Sequence, residues 1–554
     1  MRHIRSWALL FWHSILIMKK EKRGWLMFYP RSVLVSILMF SAITLQGQTY
    51  DVLYNFAGTS VTPPDGSSPQ GSVVVGPSGN ILGTTSTGGT NNAGTIFEVT
   101  PSGEEKILYN FCSQPNCTDG STPLGSLVLN GSLLYGTTYG GGPCQGGTIF
   151  RLDRSTNPPT ETVLNDFCYS GAYPMGGVVQ DAAGNLYTTL SHSWMDASLV
   201  NYGAIFEQAS DGWAGALHIF CSQIGPYGQC LDGYYPTCGL VWDSATNMLY
   251  GTTYFGGSTN SGVVFSYNLN IPVQFNDSYR VMWNFSGISG GGDGFWPYAG
   301  LLQITPEGWL YGTTLFGGDG GGTVFAIKPA PDHGVYTLNT LYAFNTYSLG
   351  DTTATDFPMS PLIAADWNAK NPGAYYLYGT TNGASGVLPG IPPMTVDGGA
   401  IYQIKLDKTR TKAESFEIVH RFTAASGYYP IGGLFLPLNS NGWMYGTTTA
   451  GGTDECPNTS CGVVYKVYVV PPQITSFSPT SGPPGTIVTI HGFNFARTTQ
   501  LRFGGVPTTS FTVNTDREMN ELKVVVPRNA KTGIIRVVTQ GGNAPSSQPF
   551  TVEQ

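Results

Sequence analysis

Five short stretches gather the residue types that could handle a ligand. "DGSSP" (65–69), "DGSTP" (119–123), "DGYYP" (232–236), "DGFWP" (293–297) and "DFP" (356–358) bring Asp65, Asp119, Asp232, Asp293 and Asp356 next to rings. The rings are Tyr234, Tyr235, Phe295, Trp296 and Phe357, with Tyr173, Tyr428 and Tyr429 in related stretches. Aromatic faces stack on sugars and other flat apolar surfaces, and carboxylates accept hydroxyl hydrogen bonds, so one reading is a carbohydrate-binding rim. Paired carboxylates on such a rim would also suit a hydrolase or lyase. The competing reading is turn chemistry: Asp-Gly favours tight turns, and an aromatic beside Pro packs between layers. A ring of carboxylates could hold calcium, but no Asp-rich loop places enough oxygens at one spot for a cage. No catalytic residue, metal ligand set or cofactor is assigned from the sequence.

Other chemistry is thinly represented. Downstream of residue 47 the histidines are His192, His218, His333, His420 and His491, and His218 and His420 fall at equivalent places in "LHIF" and "VHRF". The glycine doublets lack the Lys-Ser/Thr and the strand-to-helix context of a phosphate loop.

These stretches punctuate a repeated phrase. "LYGTTYGGGPCQGGTIF" (134–150) recurs in altered form, its Gly-Thr-Thr falling at Gly83, Gly136, Gly251, Gly312, Gly379 and Gly446, with a degenerate "LYTTL" at 186–190. Seven copies about 60 residues apart match the period of propeller blades. Each copy holds four short β-rich runs separated by Gly-rich turns: a small-to-apolar run such as "GSLVL" (125–129), the "LYGTT" run, "GTIF" or "GVVF", and a run ending in Phe. The runs are apolar on both faces, as a sheet covered on both sides requires. The fourth runs end at Phe111, Phe167, Phe220, Phe285, Phe344 and Phe422, leaving the last copy without one. "TYDVLYNF" (49–56) precedes the first complete copy and supplies the missing strand. The expected fold is therefore all-β, a seven-bladed β-propeller over 48–470 closed by the N-terminal strand, which would remove open sheet edges.

The repeat pattern resembles the bacterial GloVer tandem repeat of exported choice-of-anchor proteins over about residues 50–470, with Thr188 standing where Gly is expected. The resemblance implies a secreted or surface protein. After "VVPPQ" (469–473), "PQITSFSPTSGPPGTIVTIHGFNF" (472–495) resembles the IPT/TIG immunoglobulin-like domain. Some seven short β runs within 471–554 give the same sandwich from pattern alone. Such a module implies a spacer or adhesion unit. A propeller followed by such a domain also resembles copper-radical galactose oxidases in architecture, but no His-rich ligand set accompanies it.

Composition bounds the partners. Charged residues are 11% of 554, under half the usual share, and the net charge is −8. Residues 1–47 read as a signal peptide, with a basic segment before an apolar run, Ser32–Leu45, too short to span a bilayer; either translation starts at Met18, or the apolar stretch Trp7–Met18 is a second hydrophobic segment that makes the region an anchor. Removing them takes away seven Lys/Arg and one Glu and leaves −14. So acidic a chain without a basic run is a poor nucleic-acid binder. Extracellular polysaccharide or another surface protein is the partner class expected, at the surface of, or outside, a bacterium. Export also suits the nine cysteines: Cys112/Cys117, Cys221/Cys230 and Cys456/Cys461 are close neighbours in turn-rich loops, Cys144 and Cys168 form a fourth candidate disulfide, and Cys238 is left in an apolar strand.

Overall fold

The computed structural model describes residues 50–168, 171–192, 202–272, 278–287, 292–304, 308–329, 336–345, 356–366, 375–383, 398–437, 442–452, 461–495, 498–514, 520–539 and 542–553. Residues 1–49, and with them the expected signal peptide, lie outside this set.

Up to Tyr468 the described chain forms seven four-stranded antiparallel sheets, spanning 74–110, 128–166, 179–219, 241–284, 302–345, 363–421 and 434–468. We number these sheets one to seven. Sheets two to six are each a consecutive meander, and so is the first apart from Thr87–Gly88, which pairs with Gly66–Ser67 in a separate two-stranded sheet. The seventh takes three strands from 434–468 and its fourth from the start of the chain, Tyr50–Asn55 running antiparallel to Val463–Tyr468, with Tyr50 opposite Val467. Apart from two 3-10 turns, no helix occurs among the described residues, and none is long and apolar enough to cross a membrane.

The register explains the repeated phrase residue by residue. Gly136 lies opposite Phe150 on the neighbouring strand, and a Cβ on it would meet the Phe150 ring at 2.6 Å. The same pairing joins Gly251 to Phe265 and Gly312 to Phe325, so the glycine is a seat for the next strand's ring. The first threonine reaches the following sheet: Thr137 Oγ1 donates to the Gly176 carbonyl at 2.9 Å, and Thr313 Oγ1 to that of Pro358 at 3.0 Å. The second threonine pairs across its own sheet, Thr138 Oγ1 with Thr148 Oγ1 at 2.8 Å, and Thr85 likewise with Thr95. One residue seats a ring, one ties neighbours, and one locks the hairpin.

Both faces of each sheet are covered, as the doubly apolar runs require. Consecutive sheets share buried cores, for example Leu82, Ile96, Leu134 and Phe150 between the first and second. Phe56, Val73, Ile81, Phe97 and Val464 form a comparable core between the seventh and the first. The leading segments of all seven sheets meet around one cavity of about 390 Å³, lined largely by Gly, Leu and Val. Neighbouring segments approach there too closely for a side chain: a Cβ on Gly125 would stand 2.5 Å from the Gly177 nitrogen, and one on Gly432 equally near the Gly71 carbonyl oxygen.

Beyond Pro472 two sheets of four and five strands enclose Val488, Ile490, Leu501, Phe503, Leu522, Val537 and Phe550. Asn543 Nδ2 of this sandwich donates to Glu417 Oε1 of the sixth sheet at 2.7 Å.

Disulfides join Cys112 to Cys117, Cys144 to Cys168 and Cys221 to Cys230. Cys461 is also disulfide-bonded, and its expected partner Cys456 lies outside the described residues. Cys238 is a buried free thiol, but it occupies a bend ahead of Val241–Asp243 rather than the strand expected for it. The short first strands begin later than the apolar run suggested because close glycine packing, not ladder pairing, governs the stretch before them.

Candidate ligand-binding face

The site is built on a backbone feature that recurs seven times. The residue before proline in each entering loop has positive φ: Ser68, Thr122, Tyr173, Tyr235, Trp296, Phe357 and Tyr429, all between 56° and 61°. Left-handed backbone is costly for a residue with a Cβ and persists where the surroundings dictate it. Here they do. The Trp296 amide donates to the Ser261 carbonyl of the fourth sheet at 2.9 Å, while its own carbonyl accepts from Leu315 N in the fifth at 3.0 Å. Tyr235 is held in the same way between Tyr202 O and Tyr254 N. Each such residue ties two sheets together through its backbone, leaving the side chain free to vary, and in five of the seven it is aromatic.

Those rings are linked by others the sequence reading did not select. The residues just after Gly-Thr-Thr, Tyr139 and Tyr254, together with His192 and Phe316 one place further on, fill the gaps. Tyr139 stacks on Tyr173 with centroids 5.0 Å apart, and Tyr173 meets His192 edge-on at 5.1 Å. His192 meets Tyr235 at 5.7 Å, and Tyr235 meets Tyr254 at 6.4 Å. Tyr254 stacks on Trp296 at 5.4 Å, Trp296 contacts Phe316 at 5.5 Å, and Phe316 contacts Phe357 at 5.2 Å. The result is a continuous strip of half-buried rings running from the second sheet to the loop entering the sixth. Tyr234 stacks on Phe255 and Phe295 on Phe316, flanking the strip. Tyr428 and Tyr429 contact each other at 6.1 Å and form a separate pair.

Burial sets the electrostatics. It lowers the basicity of His192, whose Nδ1 lies 2.9 Å from Ser191 Oγ. It also raises the Tyr139 and Tyr254 phenols, with neighbouring tyrosines adding to the effect. The strip holds no carboxylate, ammonium or guanidinium side chain.

The aspartates are turned the other way. Asp232 is buried; its Oδ2 accepts from His218 Nε2 at 3.1 Å and from Ser222 N and Oγ, and its Oδ1 from Gln223 N. Although burial opposes it, these hydrogen bonds and the histidine hold the Asp232 carboxyl below the usual range. Asp293 accepts from Trp283 Nε1 and from the Ser286 amide and hydroxyl, Asp119 from Tyr109 and Ser113, and Asp65 from Tyr54 and Ala57 N. These four carboxylates fasten the outer strand of one sheet to the loop entering the next. Asp356 does not belong with them. It directly precedes Phe357, in the place of Tyr234 and Phe295, and is buried. Its two-residue distance to proline, against four in the others, is the signal that separates it. No group of three or more His, Cys, Asp or Glu comes together among the described residues.

The fold and face define an all-β repeat protein with an aromatic strip on its connecting loops and a C-terminal sandwich. The chain carries the Gloeobacter/Verrucomicrobia repeat, matched over residues 39–230, and an IPT/TIG domain, matched over 472–553. No curated protein matches it in sequence. Among solved structures it is similar to a fungal alcohol oxidase of the AA5 family in complex with copper, at 12% identity and TM-score 0.43, covering 90% of this chain and 98% of that one. An ulvan lyase of family PL25 aligns at 8% identity and TM-score 0.38, over 74% and 92% of the two chains. The GH43 endo-arabinanase from Bacillus licheniformis aligns at 13% identity and TM-score 0.26, over 53% and 92%. At such scores no activity carries over to this chain.

Proposed function

We propose that this chain is an exported binding or adhesion protein that recognises carbohydrate through the aromatic strip and performs no catalysis. In this reading the seven sheets over 48–470 are the blades of a β-propeller closed by the N-terminal strand, and the IPT/TIG sandwich over 471–554 is a spacer or partner contact. Pairing of Tyr50–Asn55 with Val463–Tyr468 supports closure, as does the core between the seventh and first sheets. The disulfides support an oxidising compartment.

The observation that carries the functional reading is the unbroken contact of rings from Tyr139 to Phe357. A scaffold needs only the backbone of the pre-proline residue, as Ser68 and Thr122 demonstrate at two of the seven positions. The rings are therefore surplus to the fold and half exposed, which is where stacking platforms sit. Conversely, Asp232 and Asp293 are engaged by donors on a strand and in the loop after it, which supports fastening over acid–base work.

A glycan and polysaccharide screen read for both binding and turnover tests this. Binding without turnover, lost in Trp296→Ala at unchanged melting temperature, is the expected result. Turnover abolished by Asp293→Asn would instead favour a hydrolase or lyase. Self-assembly into large particles with no ligand bound would favour a structural matrix component.

A further inference from the structure

We infer that the strip takes an uncharged, linear polysaccharide lengthwise, over several sugar units, rather than capturing a chain end or a single sugar. This rests on the carbohydrate reading above and specifies its ligand.

Three features point there. First, among the described residues the strip has no end wall of rings. Towards the first sheet the equivalent positions carry the small residues Thr122, Ser86 and Ser68; towards the seventh, Asn382 follows the repeated threonines and breaks the contact before Tyr428 and Tyr429. A site that reads a terminus needs a closed pocket with convergent polar groups. An open strip lets a chain enter and leave at both ends.

Second, the rings are stationed at repeat positions. Tyr173, Tyr235, Trp296 and Phe357 are the same backbone place in four consecutive repeats, each fixed by two inter-sheet hydrogen bonds. Platforms fixed before binding lose little freedom when a ligand arrives, and equivalent platforms in series act as subsites whose contributions accumulate with ligand length.

Third, the charge balance disfavours a polyanion. The ring strip holds no carboxylate, ammonium or guanidinium side chain, the nearby carboxylates are engaged by strand and loop donors, and the chain carries −8 overall. An acidic polymer would find no cationic side chain in the strip to pair its carboxylates and meets repulsion from the protein's field. A neutral polymer with apolar ring faces and equatorial hydroxyls suits π-faces bordered by phenolic hydroxyls.

The experiment is calorimetric titration of the full chain with neutral glucans, xylan and mannan, with alginate and polygalacturonate as acidic counterparts, and then with size-defined oligomers of the best binder. We expect binding to a neutral polymer and at least a tenfold fall in Kd from the dimer to the hexamer. Trp296→Ala and Tyr173→Ala should each weaken the hexamer about tenfold and the dimer far less. Trp296→Gly, which accepts the positive φ without strain, controls for folding and should behave as Trp296→Ala. Equal affinity for dimer and hexamer would overturn lengthwise binding while leaving carbohydrate recognition standing. Preference for the acidic polymers would overturn the neutral assignment. Absence of binding to every polymer would overturn the carbohydrate reading itself.

Discussion

Tyr50, in the first described strand, stacks face to face on His420 of the sixth sheet, with ring centroids 3.9 Å apart and planes 4° from parallel. The Tyr50 hydroxyl also donates to the Ser426 carbonyl. The contact joins residues 370 positions apart and has internal counterparts. His218 stacks on Tyr279 at 3.8 Å, and Tyr342 on Phe416 at 3.9 Å, each pairing one outer strand with the next. In every pair the partner from the preceding sheet (His218, Tyr342, His420) lies two residues before its closing Phe, and the partner from the following sheet (Tyr279, Phe416, Tyr50) lies six before. The N-terminal strand thus uses the contact code of the other outer strands.

The two histidines at this position differ in one respect that predicts acid sensitivity. His218 Nε2 faces Asp232, whereas His420 Nε2 is buried with no hydrogen-bond partner among the described residues, Ser426 standing where an aspartate would be. Burial therefore pushes the His420 imidazole down to about 4. The folded state holds it neutral while an unfolded chain protonates near 6.5, so its contribution is present above that pH and is lost as pH falls through about 4. The loss is at most about 3 kcal/mol. His420→Phe, which imitates the Tyr342–Phe416 pair, should flatten the decline in melting temperature between pH 7 and pH 4. An unchanged decline would remove His420 as its source.

Alkaline sensitivity is expected at the seams of the first two sheets, where the stacking place is taken by carboxylates. Glu105 faces Tyr54 and Asp65; Glu161 faces Tyr109 and Asp119. Burial first, and then the neighbouring aspartate, raises Glu105 to about 8 and Glu161 to about 7. Folding favours their neutral forms, so this stability is fully present below about 4.5 and is lost as pH rises through about 7 and about 8. Thermal melts of the Glu105→Gln/Glu161→Gln double variant should fall less between pH 5 and pH 9 than those of the parent. Parallel curves would contradict the assignment.

Two substitutions in the repeated phrase should separate close packing from hydrogen bonding. Gly125→Ala drives a methyl into the Gly177 backbone and should destabilise by about 1–3 kcal/mol. Thr137→Val keeps the shape but strands the Gly176 carbonyl, a loss of about 1–3 kcal/mol. Denaturant unfolding measures both, and a neutral result for Thr137→Val would remove the threonine tie between sheets.

The scaffold was more legible than the face. Counting closing phenylalanines assigns the segment 49–56 to the last copy, and Tyr50–Asn55 pairs with the last sheet accordingly, because each strand carries its own Phe and the tally is independent of geometry. The two-faced apolar runs likewise follow from burial between neighbours. Tyr254 and Phe316 were missed because they follow the repeated threonines and so read as turn residues, while their partners Trp296 and Phe357 stand 42 and 41 positions away. Residue type alone groups Asp356 with Asp293; its distance to proline separates them. The role of the aspartates depended on donors 5 to 14 residues upstream, His218, Ser222 and Tyr109 among them, which no local motif announces.

Closure by the N-terminal strand is tested most directly by deleting residues 49–56 and supplying them as a free peptide. Deletion uncovers the Val463–Tyr468 edge and removes Tyr50 and Phe56 from two cores, so the melting temperature should drop by roughly 10 °C or more. Added peptide should restore most of it in a saturable manner. A melting temperature unchanged by the deletion would contradict closure.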